Sequence, residues 1–489
     1  MNFKNLKALF FENKGIKQTI IKNTFWLAVA EGISRLLGVV LIIYVARILG
    51  ATEFGKFAFA LTFVSILAVF SDFGLFEITI REFSRDPKNE KKYPAILSLK
   101  IILSIGALIL MLIGSFFVIS DPAIRKIIWI LAIYILTNNF ILIFYAFLRA
   151  RQKMEYEAGA KILQSLIING IGFFVFLKIP SIESISYGFL FASLVALLLI
   201  LLFFHFRIQS LKLILDKAVW CKFLELCWPL GLVSAFSLIY MNIDSVIMGY
   251  FGQITQTGYY NAAYRIVSAA IIPSILIGTA LYPALSKLLK ESKEKLQKVW
   301  NYYMESMIVL ALPVVIGGVT LSSKIIMLFY NFNYNPAIFA LQILIFVAGI
   351  TLLCNPYGII LIIFNQQKKY LWINLIAVVV NITLNLILIP RYSLYGAAIT
   401  ALITYIVLFL LLANFSKRFT SISVFNLRLF KILVMAILSS LTMFIVISQP
   451  LVYNFNVILT IIVGILVYFI TLFLFYKFSS RFNLLLKNL

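Results

Sequence analysis

Acidic side chains are few, and histidine and cysteine are close to missing. The 489 residues hold 18 Asp and Glu, one His and three Cys. Cys221, Cys227 and Cys354 are too few and too irregularly spaced for a disulfide framework or a zinc site. His205 stands alone at the end of an apolar run and reads as a helix-end or interface residue. No polar stretch is long enough to fold as an extramembrane domain. No set of residues offers a metal centre or a bound cofactor.

Apolar residues are what the chain has instead. They make up 63% of it against 12% charged, with a mean hydropathy of +1.03. A water-soluble fold has no interior large enough to bury that much apolar surface. The runs are continuous and about twenty residues long, which fits helices that cross a bilayer and not the short alternating strands of a barrel. The fold class is therefore an all-α polytopic membrane protein. A formal charge of +24 would suit nucleic acid, but the cations collect in alternate short loops, which is a topology signal.

Residues 1–22 read as a basic amphipathic segment that lies on the cytoplasmic surface, with Lys4, Lys7, Lys14, Lys17 and Lys22 at anionic headgroups. A frayed tail that only sets topology is the plainer alternative. The segment has no cleavable signal pattern, so the first span is expected to remain. Spans are expected near 24–46, 57–80, 93–118, 123–148, 156–178 and 184–206. The series continues at 225–250, 257–286, 299–321, 337–363, 370–389, 394–413, 427–448 and 452–476, about fourteen in all. Loops expected to be cytoplasmic hold about 31 of the 42 Lys and Arg, and the opposite loops about 7. Both termini of this multi-pass cell-membrane protein should then face the cytoplasm.

The halves repeat at a period of about 205 residues. Gly55-Lys56-Phe57-Ala58 matches Gly258-Tyr259-Tyr260-Asn261, Gln152-Lys153 matches Gln367-Lys368, and Ser186-Tyr187-Gly188 matches Leu394-Tyr395-Gly396. Each half has an even number of spans, so the repeats share orientation about a pseudo-two-fold axis along the membrane normal. The expected organisation is 1–22, an N-lobe of six spans over 23–210, a C-lobe of six over 211–415, and two C-terminal spans with a cytoplasmic tail over 416–489. Paired halves of this kind flank a central site in transporters.

Several short motifs are familiar in this order. They are Lys22-Asn23-Thr24-Phe25-Trp26, Ala46-Arg47-Ile48-Leu49-Gly50, Glu53-Phe54-Gly55 and Asp72-Phe73-Gly74-Leu75 in the first half. Asn242-Ile243-Asp244-Ser245 and Gly258-Tyr259-Tyr260-Asn261-Ala262-Ala263-Tyr264-Arg265 follow in the second. Together they resemble the polysaccharide biosynthesis, or O-antigen flippase (Wzx-like), family of the multidrug/oligosaccharidyl-lipid/polysaccharide exporter superfamily. The resemblance implies two six-helix lobes around a cavity, and alternating-access flipping of a polyprenyl-(di)phosphate-linked oligosaccharide across the cytoplasmic membrane. Membrane lipids and other polysaccharide-assembly proteins are the implied partners. A cation-coupled multidrug antiporter of the same superfamily is the alternative. A membrane glycosyltransferase or polymerase is more remote, since it would need catalytic acids on a sizeable loop.

A charge within a membrane span costs roughly 2.5–3.5 kcal/mol on insertion scales, so each one asks for a reason. Arg35 lies about 16 Å into the first span, with Glu31 one turn away at the spacing that lets them pair. Arg35 would grip a diphosphate that Glu31 releases; a self-neutralised pair is the plainer reading. Arg265 carries a cavity role by the resemblance, and Asp244, at matching depth on the preceding span, is its expected ion-pair partner. Lys100 and Lys161 either snorkel to headgroups or form a cationic gateway. Asp72 reads as part of a hinge, and Glu305 as a further charge partner. Glu31, Asp72 and Asp244 also keep coupling to H+ or Na+ open. Pro229, Pro273, Pro283, Pro313 and Pro356 are expected to kink second-half spans.

Overall fold

The computed structural model describes residues 16–119, 121–208, 211–420, 422–423 and 426–487, so most of the basic N-terminal segment lies outside the described residues. The helices are α1 (Ile16–Leu67), α2 (Leu75–Arg85), α3 (Tyr93–Val118), α4 (Pro122–Ala150), α5 (Met154–Lys178), α6 (Ile182–Arg207) and α7 (Lys217–Tyr250). Then come α8 (Ile254–Glu291), α9 (Lys293–Tyr330), α10 (Pro336–Ile363), α11 (Gln367–Phe419), α12 (Leu427–Ser448), the single turn α13 (Pro450–Tyr453) and α14 (Val457–Lys487). Among the described residues, twelve helical stretches are long and apolar enough to cross a membrane. All five expected prolines sit inside helices, Pro229 in α7, Pro273 and Pro283 in α8, Pro313 in α9 and Pro356 in α10.

Two of the stretches are helical pairs. In α1 the break is Gly50, at φ 75 and ψ 171, a conformation that only glycine reaches without strain. Tyr44 before the break packs on Phe173 and Phe176, while Phe57 after it meets Phe189, the ring that covers Gly172. Residues on both sides of Gly50 therefore lie at one level, and the chain turns back there. In α11 the break is Ser393, at φ 52, just after Pro390. Gln253 braces it, accepting from Ser393 Oγ at 2.8 Å and donating to the Ile389 carbonyl at 3.3 Å.

The span expected over 57–80 is not continuous. Helix α1 ends at Leu67, one 3-10 turn covers Ala68–Ser71, and Phe73 (φ 46) and Gly74 (φ 86) turn the chain into α2. A residue with a Cβ does not fit at Gly74, where it would lie 2.9 Å from the Cys227 carbonyl oxygen of α7.

The chain divides into two compact units, one of Met1–Asn261 with Tyr370–Ala397, the other of Ala262–Lys369 with Ala398–Leu489. This differs from an N-lobe that ends at 210, because α7 packs into the first unit through glycine. Gly231 lies against Phe73, Gly249 against the Phe59 ring, and Gly258 at the start of α8 against Ala51. The first unit has an aromatic core of Phe83, Tyr93, Phe144, Phe147 and Phe204. The second has a smaller apolar cluster of Leu321, Met443, Ile447 and Tyr468.

Candidate functional site

In the first unit, α5 runs beside the leading half of α1 and fixes a ladder of polar contacts. Lys22 is buried and meets Glu155 at 2.8 Å, so it does not reach headgroups as the sequence led us to expect. Asn23 donates to Gln152 at 2.7 Å. Two turns deeper, Glu31 receives Arg35 Nε at 2.5 Å on one oxygen and Lys161 Nζ on the other. The i, i+4 pair is as expected; Lys161 as the third member is not visible in sequence, since 130 residues separate it from Glu31. Two cations on one carboxylate leave the cluster with an excess positive charge. The Arg35 side chain is 45% exposed, and its terminal amino groups have no protein acceptor among the described residues. That unspent fork matches phosphate oxygens.

The broken span carries a second cluster. Lys100 of α3 is fully buried and its Nζ meets Asp72 Oδ1 at 2.5 Å, so this lysine does not snorkel. The other oxygen of Asp72 accepts from the Phe76 backbone N–H at 3.3 Å and caps the restarted helix. Asn139 of α4 donates to the Ala68 carbonyl and to Ser71 Oγ at 3.2 and 3.1 Å, which satisfies backbone freed by the break. Asp72 thus holds the helix restart at the break, with Lys100 as its counter-charge. A cavity of about 300 Å³ opens here between Asp72, Glu77, Asn139, Ser65 and Ser234. Glu77 escaped the sequence reading, although an acidic residue inside an apolar span is the signal that singled out its neighbour.

Asp244 of α7 is 1% exposed and held by neutral donors. Tyr260 Oη donates to it at 2.6 Å and Asn385 Nδ2 at 2.5 Å, the same amide group also reaching Asn381 Oδ1 at 3.0 Å. Asn385 Oδ1 is buried without a donor. No group of three or more His, Cys, Asp and Glu occurs among the described residues to cage a divalent ion. The asparagines were missed, though polar residues four apart in an otherwise apolar span mark one helix face.

In the second unit, Arg265 of α8 lies beside Tyr264 and Tyr330. Tyr330 Oη donates to the Ala262 carbonyl at 3.0 Å. No carboxylate of its own unit pairs with Arg265 among the described residues, and its expected partner Asp244 belongs to the other unit. Glu305 of α9 is bound by Arg428 at the start of α12, with Nη2 to Oε2 at 2.9 Å. An apolar groove of about 410 Å³ runs between α9, α12 and α14, past Pro313, Gly317, Met443, Ile447, Gly464 and Tyr468. The Tyr468 hydroxyl is spent on the Val309 carbonyl at 2.8 Å.

Known proteins share this fold. The inward-closed lipid II flippase MurJ superposes with a TM-score of 0.76 at 20% identity over 93% of this chain and 99% of its own, which establishes the fold. A Haloferax volcanii protein, named a probable low-salt glycan biosynthesis flippase (Agl15), is 26% identical over 187 residues, 37% of this chain. The chain spans only 39% of the length of Agl15. A Shigella flexneri protein, provisionally named an O-antigen transporter, is 25% identical over 431 residues, 83% of this chain and 99% of its own. The sequence profile described as polysaccharide biosynthesis protein matches residues 20–289, more than half of the chain, which therefore belongs to the polysaccharide biosynthesis protein family.

Proposed function

We propose that this protein is a flippase that moves a polyprenyl-(di)phosphate-linked oligosaccharide from the cytoplasmic to the outer leaflet of the cell membrane. The observation that carries the reading is the Glu31–Arg35–Lys161 cluster. It sets excess positive charge and an unspent guanidinium fork about halfway across a membrane. A diphosphate is the group such a cluster binds. Arg265, in the second unit, is a second anion contact. Glu31 competes with the phosphate for both cations, which keeps binding reversible. The groove along α9, α12 and α14 takes the polyprenyl chain, which asks only for apolar walls. The process is binding and release, with no covalent step.

The positive-inside bias puts both termini in the cytoplasm. Substrate then comes from enzymes that assemble lipid-linked sugars and passes to those that polymerise or transfer them. Asp244 with Asn381 and Asn385 takes the coupling H+ or Na+. A cation-coupled drug antiporter would use the Asp244 set in the same way, so one experiment runs both readings. Reconstituted vesicles are loaded with a fluorescent lipid-linked oligosaccharide and, in parallel, with a cationic dye. Protein-dependent movement of the lipid-linked sugar alone supports the flippase; dye efflux without it overturns that reading in favour of the antiporter.

A further inference from the structure

The first unit has a groove that the flipping reaction does not use. It lies on the seam between α5 and α6 and encloses about 300 Å³ between Tyr156, Gly159, Leu163, Ala196, Ile200 and Phe203. Small residues on facing helices, Gly159 and Ala196, recess the seam, and a Cβ added at Gly159 would meet nothing within 4 Å. Its one deep polar side chain, Gln164, is spent inward: it accepts from Tyr145 Oη and donates to Asn138, both at 2.7 Å. The walls therefore offer an apolar chain its contacts and no hydrogen bonds.

The mouth is different. Lys153, the residue before α5, sits 5.7 Å from the centroid of the Tyr156 ring, and Tyr156 packs on Phe203 of α6. Arg207 lies one turn beyond Phe203 on the same helix face. Both cations are exposed, and neither has a carboxylate partner among the described residues. The acid at the mouth, Glu155, is already neutralised by Lys22. Two free cations thus mark the end of an apolar slot that belongs to the cation-rich loops.

We infer that this slot is a binding site for an anionic phospholipid of the leaflet on the cation-rich side. One acyl chain lies along the seam, and the headgroup phosphate rests between Lys153 and Arg207. Length selects this occupant over a polyprenyl chain. The lining runs from Glu155 to Ile167, about 18 Å of helix, close to the depth of one leaflet in a hydrocarbon core of about 30 Å. A polyprenyl tail spans more than that, whereas one acyl chain fills it.

The test is native mass spectrometry of the full chain in micelles doped with equimolar phosphatidylglycerol and phosphatidylcholine. Two cations at about 1 kcal/mol each give about a thirtyfold preference for phosphatidylglycerol. The double variant K153Q/R207Q should bring that preference within about twofold, and G159L, which fills the slot, should lower the bound amount of both lipids. Unchanged thermal melting of each variant serves as the folding control. A native protein without headgroup preference, variants that bind as the native chain does, or displacement of phosphatidylglycerol by equimolar polyprenyl phosphate would each overturn the assignment.

Discussion

Replacing Asp72 by Asn removes one charge and little else. The amide keeps an oxygen to accept from the Phe76 N–H, so the helix restart retains its cap. Lys100, however, is left fully buried without its direct counter-charge, having lost a contact of 2.5 Å. This is the buried class of ion pair, in which removal of one partner costs about 3–5 kcal/mol, not the exposed class worth about 0–1. Lys100→Met is expected to cost less, about 1–3 kcal/mol. Asp72 is 18% exposed and lines the cavity, and its carboxylate keeps the Phe76 N–H. The double variant D72N/K100M has no stranded charge and a side chain of similar volume, so it should return to within about 1 kcal/mol of the native protein. Unfolding in mixed micelles titrated with SDS, followed by tryptophan fluorescence, supplies the three differences and a coupling energy of at least about 2 kcal/mol. Single variants as stable as the native chain, or a double variant as unstable as the sum of the singles, would refute the reasoning.

Three further outcomes are expected. Arg35→Ala and Arg265→Ala should each lower transport of a lipid-linked oligosaccharide by at least about tenfold, the worth of one lost charge-assisted contact, with expression and melting unchanged; vesicle transport checks this. Gly231→Ala would put a Cβ 2.6 Å from the Phe73 carbonyl oxygen at the break. It should cost about 1–3 kcal/mol in the same micelle titration, whereas Gly159→Ala, with open space around it, should be neutral or slightly stabilising. Asp244→Asn should leave the fold intact through its neutral donors but abolish the response of transport to an imposed Na+ or pH gradient, as read in vesicles with each gradient in turn.

Helices were legible because membrane crossing imposes length and hydropathy on every residue of a span. Glu31 with Arg35 was legible because helix geometry fixes the i, i+4 contact. What escaped depends on neighbours distant in sequence. Lys161 reads as a lipid-facing snorkel until α5 is set beside α1. Lys100 reads the same way until α3 is set beside the break. The break itself left a trace in Asp72-Phe73-Gly74, but a single glycine in an apolar run is no sign of interruption on its own. The left-handed turn at Gly74 (φ 86) and the close approach of α7 at Cys227 and Gly231 together make glycine obligatory there. Lys22 was assigned to headgroups from its charge, while its burial is decided by Glu155, 133 residues on.

Once partners are assigned, the intramembrane charges sort into two kinds, and the sorting bears on the ligand's sign. Lys100 with Asp72, and Arg428 with Glu305, are closed pairs that bring no net charge to their surroundings. Their purpose is met by packing, since each joins two helices. Arg35 and Lys161 share a single carboxylate, and Arg265 has none in its own unit. Leaving cations uncompensated in hydrocarbon costs several kcal/mol, which a purely structural role would avoid by using apolar residues. The cost is offset if the missing counter-charge arrives with the ligand and leaves with it. An anion satisfies that condition and a cationic drug does not, because it would meet like charge at both places. Asp244 differs from both kinds, since the donors around its carboxyl, Tyr260 and Asn385, are neutral and no cation pairs with it among the described residues.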